Sequence, residues 1–76
     1  MTIQVRFFAS LREKFSLSDQ QIEIDAPLPA LEVWRRLSDQ PLPTNTLIAI
    51  NQEFAKPASL VSNGDEVAFF PPVTGG

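Results

Sequence analysis

The residues best placed to do chemistry are those of FFPPVTGG, positions 69–76, and what they offer is a backbone carboxyl group, not a side chain. Of the three glycines in the 76-residue sequence, two are Gly75 and Gly76. Glycine is no wider than the backbone, so this pair could enter a channel that excludes every side chain. An α-carboxyl group is an anion at neutral pH and a poor acyl electrophile, so reaction there requires activation by another protein. Pro71 and Pro72 fix φ and lack an amide donor; they end the preceding strand and set an extended path through Val73, Thr74 and Gly75. At about 3.3–3.6 Å per residue, the last four residues reach roughly 13 Å beyond Pro72. A glycine pair alone is a weak signal because chain ends fray. A stiff proline pair directly after an aromatic strand strengthens it by aiming the tail.

The remaining composition closes most other routes to catalysis. The sequence has no cysteine, histidine or tyrosine, which removes a thiolate nucleophile, an imidazole base, a disulfide framework and the usual zinc ligands. No metal and no permanently bound cofactor is expected. Six basic against nine acidic side chains give a formal charge of -3, which disfavours a phosphate-backbone partner, so no nucleic acid is expected. LIAI, typical of the apolar runs, is far short of the roughly 20 residues that span a bilayer. MTIQVRFF lacks the basic and apolar regions of a leader. The expected setting is cytoplasmic, with no membrane partner.

The elements that must hold the tail are legible from period. TIQVRFF alternates, with Ile3, Val5 and Phe7 on one face and Gln4, Arg6 and Phe8 on the other. SLREKF predicts a short helical turn, with Ser10 and Glu13 as a capping box and Leu11 and Phe15 at i,i+4. QQIEID predicts a second strand through Ile22 and Ile24. Ala30, Val33, Trp34 and Leu37 then recur at helical spacing, with Pro29 in the first turn and Pro41 enforcing the end. Leu28, just before it, offers no capping acceptor, so water or a neighbouring loop must satisfy the first amides. TLIAIN, QEFA and EVAFF predict three more strands, with a turn at NGD in which Gly64 or Asn63 takes positive φ. In EVAFF, Val67 and Phe69 face inward, and Ala68 and Phe70 outward. This ββαβββ order predicts an α+β fold: a mixed sheet packed on one main helix, as a single domain over 1–76 with 71–76 as an extended tail.

NGDEVAFFPPVTGG closely resembles the C-terminus of the small, sulfur-carrying subunits of molybdopterin synthases, and the similarity extends through VRFFASLRE and IAINQE. The resemblance implies a ubiquitin-like β-grasp fold. It also implies a cycle in which an ATP-using activating enzyme adenylates Gly76 and a sulfur donor system converts the adenylate to a thiocarboxylate. The tail then enters the large synthase subunit and delivers sulfur to cyclic pyranopterin monophosphate, forming molybdopterin. Catalytic groups are expected on the large subunit, in a heterotetramer of two small and two large subunits. The segment SDQPLPTNTLIAIN, which includes the loop 38–46, looks shorter than in many relatives and leaves little room for an extra helical turn. The diglycine is shared with thiamine-pathway sulfur carriers and ubiquitin-like modifiers, so those readings stand as alternatives, together with a plain β-grasp binding module.

Strand parity turns Phe8 and Phe70 away from the helix, and Phe54 extends them into an expected partner-binding patch. Burial of large apolar side chains is worth about 1.5–3 kcal/mol each, enough for three to dominate a modest interface. Trp34 is expected in the core, Arg35 and Arg36 on a solvated helix face, and Asp65 and Glu66 at a turn and strand start. Arg12, after the first strand, is a candidate contact for acidic groups of the activating enzyme.

Overall fold

The alternation read in the first strand is the alternation observed. In β1, Thr2–Phe7, the odd-numbered residues Ile3, Val5 and Phe7 are buried and the even-numbered ones half-buried. The computed structural model describes residues 1–14 and 17–72; Phe15 and the tail positions Val73, Thr74, Gly75 and Gly76 lie outside the described residues. After β1 come α1 (Ser10–Lys14), β2 (Gln20–Glu23), β3 (Leu28–Pro29), α2 (Ala30–Leu37), β4 (Leu47–Ile50), β5 (Glu53–Ala55), β6 (Leu60–Val61) and β7 (Glu66–Phe70). Five strands form one mixed sheet in the order β2-β1-β7-β4-β5. β7 runs parallel to β1 and antiparallel to β4, so residues far apart in sequence meet at its centre.

Helix α2 covers the inner face. Phe7 and Phe69 are register partners and lie with ring centroids 5.6 Å apart at 15°. Trp34 meets Phe7 at 6.0 Å and Phe69 at 5.5 Å, both edge-on. Edge-to-face contact sets the positive edge of one ring against the negative face of another and adds to the gain from area burial. All three rings are buried, and Ile3, Val5, Val33, Ile48, Val61 and Val67 fill the space around them. The indole N–H, costly to bury unpaired, donates to the Gln40 carbonyl at 2.8 Å.

That bond also revises the expected helix end. α2 stops at Leu37, and Ser38 is extended, three residues before Pro41. Ser38 Oγ accepts the Gln40 N–H, so the chain turns under side-chain control before proline is reached. At the other end Pro29 is the cap itself, not a first-turn residue, and makes no side-chain cap bond. The orphan amides are met by a neighbouring loop: Ala30 N–H donates to the Ser59 carbonyl at 2.9 Å and Leu31 N–H to that of Pro57 at 3.0 Å. The two-residue ladder β3–β6 lies beside this cap, pairing Leu28 with Val61 and Pro29 with Leu60. So short a pair leaves no period in the sequence, and the five-strand reading missed it.

Three further details differ from the sequence reading. Ser10 is the first helical residue of α1, so the cap position falls on Ala9, at φ 51° and without a side-chain acceptor, and not on Ser10 as expected. Gln52 belongs to a turn and not to the fourth strand: Asn51 and Gln52 both have positive φ, in a two-residue hairpin between Ile50 and Glu53. Ala68 is on the outer face as expected yet buried, since Arg6 and Ala49 flank it in adjacent strands. Gly64, at φ 84°, takes the left-handed position expected of the NGD turn.

Phe69→Ala removes the ring that takes part in two of the three inner contacts, and a loss of about 3–5 kcal/mol in urea unfolding is expected. A loss below about 1 kcal/mol, the scale of an ordinary substitution, would show that the aromatic trio does not hold the core.

Candidate functional site

The site is built where β1 and β7 end. Phe8 follows β1 and continues its ladder by donating its N–H to the Phe69 carbonyl at 3.1 Å. This fixes Phe8 beside Phe70 on the outer face, with ring centroids 4.6 Å apart and planes within 10°. Leu47, register partner of Phe70, adds the next side chain on the same face. Phe54 comes from edge strand β5, opposite Ala49. Together with Ala9 and Pro71 these residues line a groove of about 350 Å³, without a polar side chain in its wall. Phe54 is 81% exposed, the largest exposure of any large apolar residue among those described. A contiguous apolar groove rimmed by charge is characteristic of a surface that meets another molecule.

At the rim one arginine stands over the aromatic wall, paired with carboxylates. The Arg6 guanidinium lies 5.0 Å from the Phe8 ring centroid and within ion-pair distance of Asp19 (3.6 Å) and Glu66 (3.8 Å). Arg12 reaches the same Asp19 at 3.9 Å with about half its side chain exposed. Asp19 Oδ1 in turn accepts the Phe7 N–H at 2.9 Å. One carboxylate thus ties the end of β1 to both arginines. Such exposed pairs stabilise weakly, and their chief effect is to hold the cationic groups at the groove's edge.

The structure brings together Phe8 and Phe70, singled out from parity, and Phe54, singled out from the family resemblance, and places Arg12 near but not in the groove. Pro71 is part of the groove wall, and Pro72 is exposed beyond it. Sequence reasoning missed Leu47 and Ala9. Leu47 was legible in principle, since TLIAIN alternates its faces once paired to EVAFF. Ala9 was not, because its place depends on a positive φ that alanine seldom adopts. Among the described residues no group of three or more acidic side chains is placed to hold a metal ion, and no helix is long and apolar enough to cross a membrane.

A family model described as the ThiS family matches residues 5–76. The sequence is 39% identical to the molybdopterin synthase sulfur carrier subunit of Haemophilus influenzae, covering 97% of this chain and 99% of that protein. The protein of the same name from Escherichia coli is 37% identical, with the same shares covered. Among solved structures, small archaeal modifier protein 1 of Haloferax volcanii superposes with a TM-score of 0.76 at 22% identity, covering 95% of this chain and 98% of that one. Subunits 1 and 2 of the Helicobacter pylori molybdopterin-converting factor form a complex in which the similar chain gives a TM-score of 0.68 at 22% identity, with both chains covered in full. These structures establish the fold, which is the ubiquitin-like β-grasp expected from the sequence.

The groove's aromatics differ in what they do for the fold. Phe54→Ser is expected to change stability by no more than about 0.5 kcal/mol, as for an exposed substitution. Phe70→Ser, which strips the stacking partner from Phe8, should cost about 1 kcal/mol or more. Chemical unfolding of the two variants checks the order, and equal losses would contradict the assigned exposures.

Proposed function

The chain belongs to the ThiS family, and from that premise we propose that it is the sulfur carrier of a molybdopterin synthase, with the Gly76 carboxyl as its working group. The observation that carries this reading is the end-to-end similarity to two molybdopterin synthase sulfur carrier subunits, at 37–39% identity over 97% of the chain. The described residues lack histidine and cysteine, so the fold's task is to bind partners and present the tail.

The chemistry proceeds by inverting the character of one carboxyl carbon's substituent. A carboxylate oxygen of Gly76 attacks the α-phosphorus of ATP on an activating enzyme; pyrophosphate leaves, and the acyl-adenylate is an electrophile. Hydrosulfide supplied by a sulfur donor then attacks the acyl carbon, the bond to AMP breaks and AMP leaves, and the thiocarboxylate that results is a nucleophile. Entry of the tail into the large subunit brings that sulfur to cyclic pyranopterin monophosphate, with acid-base and pterin-binding groups supplied by the large subunit. Sulfur is carried covalently and oriented by the partner, as a cofactor would be.

The groove supports this reading by its position. Pro71 lines it, so a partner seated on Phe8, Phe54 and Phe70 also receives the start of the tail, Pro71 through Gly76. Burial of those rings, at about 1.5–3 kcal/mol each, supplies affinity without using the tail. Arg12, half exposed beside Asp19, is suited to an acidic group of the activating enzyme. The proposed assembly is a cytoplasmic heterotetramer of two small and two large subunits.

Reconstitution tests the proposal. Incubated with activating enzyme, ATP and sulfide, the protein should gain in intact mass the difference between one sulfur and one oxygen, and it should then yield molybdopterin with large subunit and pterin precursor. Deletion of Gly75 and Gly76 should abolish both steps while leaving folding intact. Phe8→Ser should weaken large-subunit binding by about tenfold or more, the loss of one buried aromatic anchor. Attachment of Gly76 to lysines of other proteins without thiocarboxylate would establish a modifier instead. A thiocarboxylate accepted only in thiamine synthesis would establish the other carrier.

A further inference from the structure

Asn63 and Gly64 form a dipeptide prone to intramolecular deamidation, because a glycine amide has no side chain to hinder its approach to the preceding carboxamide. Both residues are exposed, and Gly64 has open space around it. Each reacting group is nevertheless held by one residue at the start of β1. Thr2 N–H donates to Asn63 Oδ1 at 2.9 Å, and Gly64 N–H donates to the Thr2 carbonyl at 2.8 Å. The surrounding turn is fixed as well: Asp65 N–H donates to the Ser62 carbonyl, Ser62 N–H to Asp65 Oδ2, and Gln4 N–H to the Asp65 carbonyl.

We propose that Asn63 is a latent modification site, converted to aspartate or isoaspartate when Thr2 releases the turn. Reaction requires the Gly64 nitrogen to give up its proton and bond to Asn63 Cγ. As that bond forms the Cγ–Nδ2 bond breaks, ammonia leaves with the proton, and a cyclic imide remains. Water opens the imide at either carbonyl, giving aspartate or the isoaspartyl linkage, with no oxidant or reductant involved. In the closed turn the Gly64 proton is committed to Thr2 and the carboxamide is tethered to the same strand, so neither partner is free to react. The isoaspartyl product adds a methylene to the backbone of the turn that feeds β7. The aromatic groove lies at the opposite ends of β1 and β7, so modification should loosen the sheet without altering the groove's lining.

Peptide mapping by mass and chromatography during incubation at mildly alkaline pH follows the conversion. Folded protein should deamidate at least about tenfold more slowly than the free peptide LVSNGDEV, since reaction waits on local opening. Thr2→Pro, which deletes the donor to Asn63, should react about three- to tenfold faster than the parent, the effect of one net hydrogen bond. Thr2→Val keeps both backbone groups and should react at the parent rate. Hydrogen exchange at the Gly64 amide should show protection of about tenfold or more. Should Thr2→Pro fail to fold, the exchange measurement and the comparison with the peptide decide the matter. A folded protein that reacts at the peptide's rate, an unprotected Gly64 amide, or a folded Thr2→Pro that reacts no faster than the parent overturns the proposal.

Discussion

The parallel register of β1 on β7 sets both faces of the molecule at once. Phe7 pairs with Phe69, and because successive side chains of a strand point to opposite faces, Phe8 and Phe70 are brought together behind them. Inside, the first pair stacks under Trp34 and forms the core. Outside, the second pair stacks into the groove. A slip of one residue would exchange the two sets, so the hydrophobic gain that fixes the core also fixes the outer aromatic groove. The outer groove and the core are therefore coupled through the backbone of the two paired strands.

That pairing is non-local, and everything between its strands has to be arranged to allow it. The crossover contains α2, whose first amides are satisfied by carbonyls of the 57–59 loop and whose final turn is closed by the Trp34 indole on Gln40. Asn51 performs a similar function at the other end of the sheet. Its backbone N–H donates to the Glu66 carbonyl, its side-chain amide donates to Asp65, and its side-chain oxygen accepts the Glu66 N–H. One residue in a left-handed conformation thus joins the β4–β5 hairpin to the turn before β7. Small domains have little core to spare, and polar groups that serve two elements at once limit the orphaned donors they must tolerate.

The groove's chemistry suits a carrier. Its wall is apolar, Arg6 lies over Phe8 and is paired with Asp19, and Pro71 is part of the wall. In the proposed function this arrangement separates affinity, which comes from aromatic burial, from the reacting end of the tail.

The sequence by itself determined the main strands and helix, because period-two and helical spacings report directly on which side chains a two-sided sheet and a one-sided helix must bury. It also determined the centre of the aromatic patch, since Phe8 and Phe70 follow from parity once the strands are known, while Phe54 was placed there by the family resemblance. The end of α2, its cap, the β3–β6 pair, the hairpin at Asn51 and the part of Ala9 in the groove were decided by tertiary structure. Each depends on a hydrogen-bond partner or a dihedral angle supplied by residues distant in the chain, and local spacing carries no record of which distant carbonyl will meet an unpaired amide.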